Sequence, residues 1–211
     1  MRKGWKVKKN LVFAVAQIEQ SSGAGLGPVR VRGEFRVFLS ASRYNGGVPF
    51  RTRDFRKADF ETLWRIDQAC FDPQLAYSRL ELAFYMRRPG AFTLVAEGEG
   101  AEDPGNGNAP WRIVGFVVAE ARRRTGHIIT IDVLAEVRRA GIGSGLLLAA
   151  EKRLQQSGAL LVELETPVSN AAAIRFYKEM DYFVEKTVTG YYSNQMDALV
   201  MRKELQVVAS S

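Results

Sequence analysis

From Pro49 onward, apolar residues recur with two periods that take turns along the chain. Phe50–Asp54 alternates like a short strand, and Ala58–Phe71 sets Phe60, Leu63, Trp64, Ile66, Asp67 and Cys70 at helical spacing. Ser78 stands as the N-cap of a second helix with Glu81 in the capping-box position, and Arg87-Arg88-Pro89-Gly90 stops it. Phe92–Glu97, Trp111–Ala121 and His127–Leu134 read as strands. The last two are joined by the turn around Arg122-Arg123-Arg124-Thr125-Gly126. A helix from about Gly141 to Ser157 ends at Gly158, a C-terminal cap. A strand follows over Ala159–Glu165, then a helix capped by Asn170 and reaching Met180. Phe183–Thr189 and Met196–Arg202 close the pattern as antiparallel neighbours. The order predicts a layered α/β domain over residues 50–205. Its six to seven strands are flanked by about four helices, with no internal repeat and no boundary after residue 50.

Charge changes the picture at one end only. Residues 1–49 hold nine Lys/Arg against two Asp/Glu, so the whole net charge of +7 sits there, and the remainder is balanced. The high isoelectric point therefore describes a basic, Gly/Ser-rich extension, which weakens the case for the domain as a whole binding nucleic acid. The run Leu11–Ala16 after Lys8-Lys9 is short and lacks a small-residue cleavage pattern, so the expectation is a weakly ordered extension or upstream sequence, not a signal peptide. Residues 206–211 read as a tail. No apolar run approaches the roughly 20 residues of a membrane span. One cysteine, Cys70, excludes an internal disulfide and points to a reducing compartment, the cytoplasm. With one His and one Cys, no zinc site of the usual type is expected.

Three constellations carry chemistry. In Ile131-Asp132-Val133-Leu134-Ala135-Glu136-Val137-Arg138-Arg139-Ala140-Gly141-Ile142-Gly143-Ser144-Gly145, an apolar strand enters a basic, glycine-rich turn that opens a helix. Backbone N–H groups free of bulky side chains then stand at the positive end of a helix, a place that binds phosphate. It is neither a P-loop nor a dinucleotide fingerprint: no Gly-Lys-Ser/Thr follows, and the six-residue glycine spacing is missing. In Asn170–Tyr182, the residues Ala173, Phe176, Tyr177 and Met180 share a helix face. This turns Tyr177 inward, where its hydroxyl needs a partner. In Leu160–Glu165, period two places Glu163 and Glu165 on one face of an apolar strand, and such acids need partners or a job.

Together, in this order, the three resemble the GNAT superfamily of acyl-coenzyme A N-acyltransferases. Within it they are most similar to the bacterial ribosomal-protein-alanine N-acetyltransferase family, which acetylates protein N-terminal amines. The resemblance covers about residues 50–205 and is strongest in IITIDVLAEVRRAGIGSGLL, LETPVSNAAAIRFYKEMDYF and GYYSNQMDALVM. It implies a mostly antiparallel, centrally splayed sheet, with acetyl-CoA as co-substrate and no metal. Ile131, Asp132 and Val133 match the strand that pairs with the pantetheine arm. Arg138, Arg139, Ala140, Gly141, Ile142, Gly143 and Ser144 match the pyrophosphate loop, and Asn170 a side chain that contacts coenzyme A. Glu165 matches the general base and Tyr177 the general acid. Tyr191 and Tyr192 match an aromatic pair near an acceptor peptide. The implied acceptor is a peptide or protein N-terminus, with no membrane and no nucleic acid beyond ribosome proximity. The chemistry agrees: an ammonium must lose a proton before attacking a thioester, and the oxyanion needs a backbone N–H, for which Val133 is the expected donor.

Some positions depart from the family pattern. Asp181 stands in place of a glycine and tolerates left-handed geometry, and Ala135 stands where proline is common. Pro167 follows Glu165 closely; a bulge there would change which acid faces the acceptor, so Glu163 stays a reserve base. His127 is expected to be structural, Cys70 a buried helix residue, and Arg122-Arg123-Arg124 a solvated turn. Two other functions stay open. One is acetylation of a small amine, which an acidic acceptor cleft would favour and Tyr191-Tyr192 disfavours. The other is a non-catalytic coenzyme A-binding module, which intact Glu165 and Tyr177 disfavour.

Overall fold

The computed structural model describes residues 49–73, 75–99, 111–192 and 195–205; residues 100–110 and the expected extension and tail, at 1–48 and 206–211, lie outside the described residues. Seven strands form one sheet: β1 (Phe50–Asp54), β2 (Ala91–Glu99), β3 (Trp111–Arg122), β4 (Thr125–Val133), β5 (Leu161–Pro167), β6 (Phe183–Val188) and β7 (Ala198–Glu204). Four helices flank it: α1 (Phe60–Cys70), α2 (Arg79–Met86), α3 (Ile142–Gln156) and α4 (Ala171–Glu179). The spatial order is β1-β2-β3-β4-β5-β7-β6, and among the described residues only the central β4–β5 pair is parallel.

Each face of the sheet buries a separate core. Leu146, Leu147, Ala150 and Leu154 of α3 and Ala173 and Tyr177 of α4 pack on Val117, Ile128, Ile131, Val162 and Leu164. On the other face, Leu63 and Ile66 of α1 and Leu82 and Tyr85 of α2 pack on Val95, Phe116, Val118 and Ile129. Full burial of each such aliphatic side chain contributes about 1.5–3 kcal/mol, enough to hold both helix layers on the sheet.

The centre of the sheet opens. β4 and β5 pair only where Thr125, Gly126 and His127 meet Leu161, Val162 and Glu163. Beyond that they diverge, β4 running on to Val133 and β5 to Pro167. The β3–β4 register shifts between Val118 and Ala119, so Ile129 is an extra residue on β4 at the start of the divergence. A bulge bends and twists its strand, which turns β4 away from β5.

Element ends differ from the sequence expectation where tertiary pairing decides. β2 runs through Gly98 to Glu99 because β1 continues its ladder to Gly98 and β3 to Glu99. β5 starts at Leu161, since the Ala159 N–H bonds back to the Leu154 carbonyl and finishes α3. Pro167 introduces no bulge: β5 pairs with β7 in unbroken register from Leu161 to Pro167.

Candidate active site

The wedge between β4 and β5 has a backbone side and a side-chain side. On the backbone side, the Leu134 N–H bonds to the Val114 carbonyl, toward β3. Across a planar trans peptide the Val133 carbonyl must point the opposite way. It does so, accepting from Arg138 Nε at 2.9 Å and Cys70 Sγ at 3.4 Å. Strand alternation then directs the Val133 and Ile131 N–H groups away from β3, into the wedge.

The turn that follows leaves backbone donors open at a helix start, an arrangement that can bind an anion. Arg139 (φ 66°) and Gly141 (φ 81°) are both left-handed, and Gly141 is the N-cap of α3. No side chain caps this helix among the described residues, so the N–H groups of its first turn, Ile142, Gly143 and Ser144, lack intrahelical acceptors. The two glycines inside α3 differ. A Cβ on Gly145 would stand 2.6 Å from Phe50 Cζ, whereas one on Gly143 would meet nothing closer than 3.7 Å. Gly145 is required by packing; Gly143 leaves space over the helix N-terminus. The Arg138 guanidinium is turned back on the strand end, reaching Cys70 Sγ at 3.7 Å. Burial pushes the Cys70 thiol up to about 12, which keeps it protonated.

The α4 side closes the wedge. Asn170 Oδ1 accepts from the Ala173 N–H at 3.1 Å and caps the helix. Tyr177 is fully buried, its ring 5.3 Å from Phe176 and 5.4 Å from Tyr182. Burial, with Tyr182, Tyr192, Asp132 and Glu165 nearby, raises its hydroxyl well above the usual tyrosine range, so it holds its proton at neutral pH. Asp181 ends the helix at φ 66°, the left-handed geometry expected of it.

The side-chain side lies on the face of α1 and α2. His127 Nε2 sits 2.7 Å from Glu165 Oε2, and the Tyr191 hydroxyl hydrogen-bonds the same carboxyl group. Burial, then Glu165, raises the Tyr191 hydroxyl far above its ordinary value, so it is a donor here. Tyr192 packs edge-on to Tyr191 at 5.1 Å and is buried against Ala198 and Ile129. Tyr85 of α2 lies in the field of Glu165. Glu163 shares this face one step away, opposite His127 on β4 and Arg202 on β7.

The structure thus brings Glu165, Tyr191 and Tyr192 together and sets Tyr177 behind them. The sequence pattern marks His127 only as structural and does not single out Tyr85. Their signal was weak: His127 is the one histidine of the chain and begins a strand facing an acid-bearing strand, but its partner lies 38 residues away.

The family profile of the acetyltransferase (GNAT) family matches residues 59–182. The chain belongs to that family. It is a GNAT N-acetyltransferase. An uncharacterized N-acetyltransferase of Methanocaldococcus jannaschii is 32% identical over 153 residues, 72% of this chain and 90% of that protein. An N-alpha-acetyltransferase of Saccharolobus solfataricus is 39% identical over 83 residues, 39% of this chain and 50% of that protein. Among solved structures, the ribosomal-protein-alanine N-acetyltransferase of Escherichia coli superposes with a TM-score of 0.62 at 18% identity, covering 77% of this chain and 97% of that one. Arabidopsis thaliana NAA60 in complex with acetyl-CoA superposes with a TM-score of 0.61 at 19% identity, covering 74% of this chain and 98% of that one. These two likenesses establish the GNAT fold. No described helix is long and apolar enough to cross a membrane.

Proposed function

We propose that this GNAT enzyme moves an acetyl group from acetyl-CoA to the α-amine of a peptide or protein N-terminus, by direct attack within a ternary complex. The observation that carries the reading is the Glu165 carboxyl group at the edge of the β4–β5 wedge, held by His127 and Tyr191 on the face opposite α3 and α4. Relatives named as N-alpha-acetyltransferases support the choice of acceptor.

The Ile131 and Val133 N–H groups and the open first turn of α3 bind the coenzyme, with Arg138, Arg139, Ala140, Gly141, Ile142, Gly143, Ser144 and Asn170 around its pyrophosphate and arm. Asp132 contributes backbone between them. Glu165 takes the proton from the incoming ammonium, directly or through one water. His127, donating from Nε2, keeps the Glu165 carboxylate oriented. A strand N–H in the wedge, Val133 or Ile131, stabilises charge on the thioester oxygen. Tyr177 gives its proton to the departing thiolate. Tyr191 and Tyr192, with Tyr85, form the aromatic wall against which the acceptor peptide lies. Holding both reactants side by side supplies much of the rate.

Incubation with acetyl-CoA and a panel of N-terminal peptides, with small amines in parallel, tests this. Thiol release with peptides and not with polyamines or amino acids is the expected result. Release with small amines alone overturns the acceptor. Coenzyme binding without turnover on any amine overturns catalysis.

A further inference from the structure

A second buried polar cluster lies beside the coenzyme rail and has no part in the proton transfers above. On α1, Asp67 and Cys70 are one turn apart on the inner face, and Cys70 touches the Val133 carbonyl. That contact docks α1 on the end of β4, and Asp132, the residue before Val133, lies in the field of Asp67. Both aspartates are completely buried. Asp132 Oδ1 accepts from Thr130 Oγ1 at 2.9 Å, and Asp67 Oδ2 accepts from the Tyr77 N–H at 2.8 Å and from Gln68 Nε2 at 3.0 Å. The other oxygen of each, Asp132 Oδ2 and Asp67 Oδ1, is buried with no partner among the described residues. The nearest cation, Arg138, bonds the Val133 carbonyl and the Cys70 sulfur, not either carboxyl group.

We propose that Asp132 is protonated on Oδ2 and donates to Asp67 Oδ1, so that one proton latches the coenzyme strand β4 to the α1–α2 connection that leads to the acceptor wall. Two adjacent buried carboxylates without a counter-ion are too costly to keep ionised together, and one proton satisfies both orphaned oxygens. Asp67 in turn holds the Tyr77 backbone. The Trp64 and Gln68 side chains hold the Tyr77 carbonyl at 3.1 and 2.8 Å, and the Tyr77 ring stands 5.3 Å from Tyr85. Asp132 and Asp67 are thus positioning residues: they set the distance between the strand that binds coenzyme and the tyrosines that face the acceptor.

Burial pushes Asp67 up to about 7 and raises Asp132 well above the usual carboxylate range. The other titratable or charged groups facing the pair are Cys70 from α1, Glu81 from α2, Arg138 after β4, Tyr77 from the connection, and Tyr177 from α4. The sign follows from linkage. Above about pH 7 the native state still binds the Asp132 proton while the unfolded state binds none, so stability keeps falling as pH rises.

The test compares the full chain with Asp132→Asn and Asp67→Asn in thermal and denaturant unfolding across pH. An asparagine at 132 still accepts from Thr130 and donates to Asp67, but carries no titrating proton. The wild-type folding constant is expected to drop by up to about tenfold more per pH unit than that of Asp132→Asn above about pH 7. Asp67→Asn must surrender an acceptor, so it is expected to be destabilised without such rescue. Parallel curves for wild type and Asp132→Asn overturn the shared proton. The positioning role is read from coenzyme A binding by calorimetry: wild-type affinity is expected to fall with rising pH where Asp132→Asn does not. Equal pH dependence there overturns the role. Neither measurement uses an acceptor amine, so their failure is separable from that of the proposed acceptor.

Discussion

In the proposed reaction the two sides of the β4–β5 wedge recognise their reactants by different means. On the coenzyme side the contacts come from main chain: strand N–H groups at Ile131 and Val133, left-handed turns at Arg139 and Gly141, and an uncapped helix start. Those groups are fixed by the fold and shared along one stretch of fifteen residues. On the acceptor side the contacts come from side chains of four separate segments: Tyr85, His127, Glu165 and the Tyr191-Tyr192 pair. Main chain suits a ligand that never changes, and side chains suit one that differs between enzymes of the same fold. Outside the Asp132–Asp67 link, substitutions on the two sides are therefore expected to separate into coenzyme affinity and turnover.

The sharpest break of that division is Glu165→Gln. Removing the base is expected to lower kcat by roughly 10²–10⁴-fold and to leave the Kd for coenzyme A unchanged, measured by stopped-flow thiol release and calorimetry. A matching loss of coenzyme affinity would merge the two sides. Tyr177→Phe is expected next. It keeps the ring packing on Phe176 and Tyr182 and removes only the proton for the leaving thiolate. Its effect is expected in kcat, alone and smaller. The opposite division is tested by Gly143→Val. Nothing in the protein is nearer than 3.7 Å to the added Cβ, so the melting temperature is expected to hold. The coenzyme Kd is expected to rise by about tenfold or more, a loss of some 1.4 kcal/mol. A large drop in melting temperature with unchanged affinity would mean that Gly143 serves packing, as Gly145 does.

The same division explains what could be read from the chain. The coenzyme side was legible because its parts are contiguous: an apolar strand, the Arg138–Gly143 turn and the α3 face stand in one stretch, and each has its own local period or cap. The Ser78–Glu81 capping box and the Asn170 cap were legible for the same reason. Glu165 and Tyr177 stood out by face and by family likeness. His127 did not, because its meaning depends on the parallel pairing of β4 with β5, which no local pattern reveals. Asp67 and Asp132 were illegible as a pair for a related cause. Asp67 fell within a helical apolar stripe and Asp132 within a strand, and only the docking of α1 on β4 puts their free oxygens together.

His127 offers a finer test of the acceptor side. His127→Ala is expected to lower kcat by roughly tenfold to a hundredfold, the worth of a hydrogen bond to a charged group. His127→Gln places an amide near the position of Nε2 and is expected to recover part of it. No recovery would make the histidine a proton carrier in its own right rather than an orienting donor for Glu165.

The smallest effect is expected at Ser78, an exposed helix cap. Its hydroxyl accepts from the Glu81 N–H while the Glu81 carboxylate accepts from the Ser78 N–H at 3.0 Å, closing the first turn of α2. Ser78→Ala is expected to cost about 1 kcal/mol, lowering the melting temperature by about 2–4 °C for a chain of this size. Because α2 carries Tyr85, loosening its start is expected to raise the acceptor KM slightly. The coenzyme Kd is expected to stay fixed, since α3 and β4 hold that ligand on the opposite face. A shift in coenzyme affinity from this cap would show that loosening α2 reaches the coenzyme strand through Tyr77, Asp67 and Asp132, whereas no shift would confine its effect to the acceptor side.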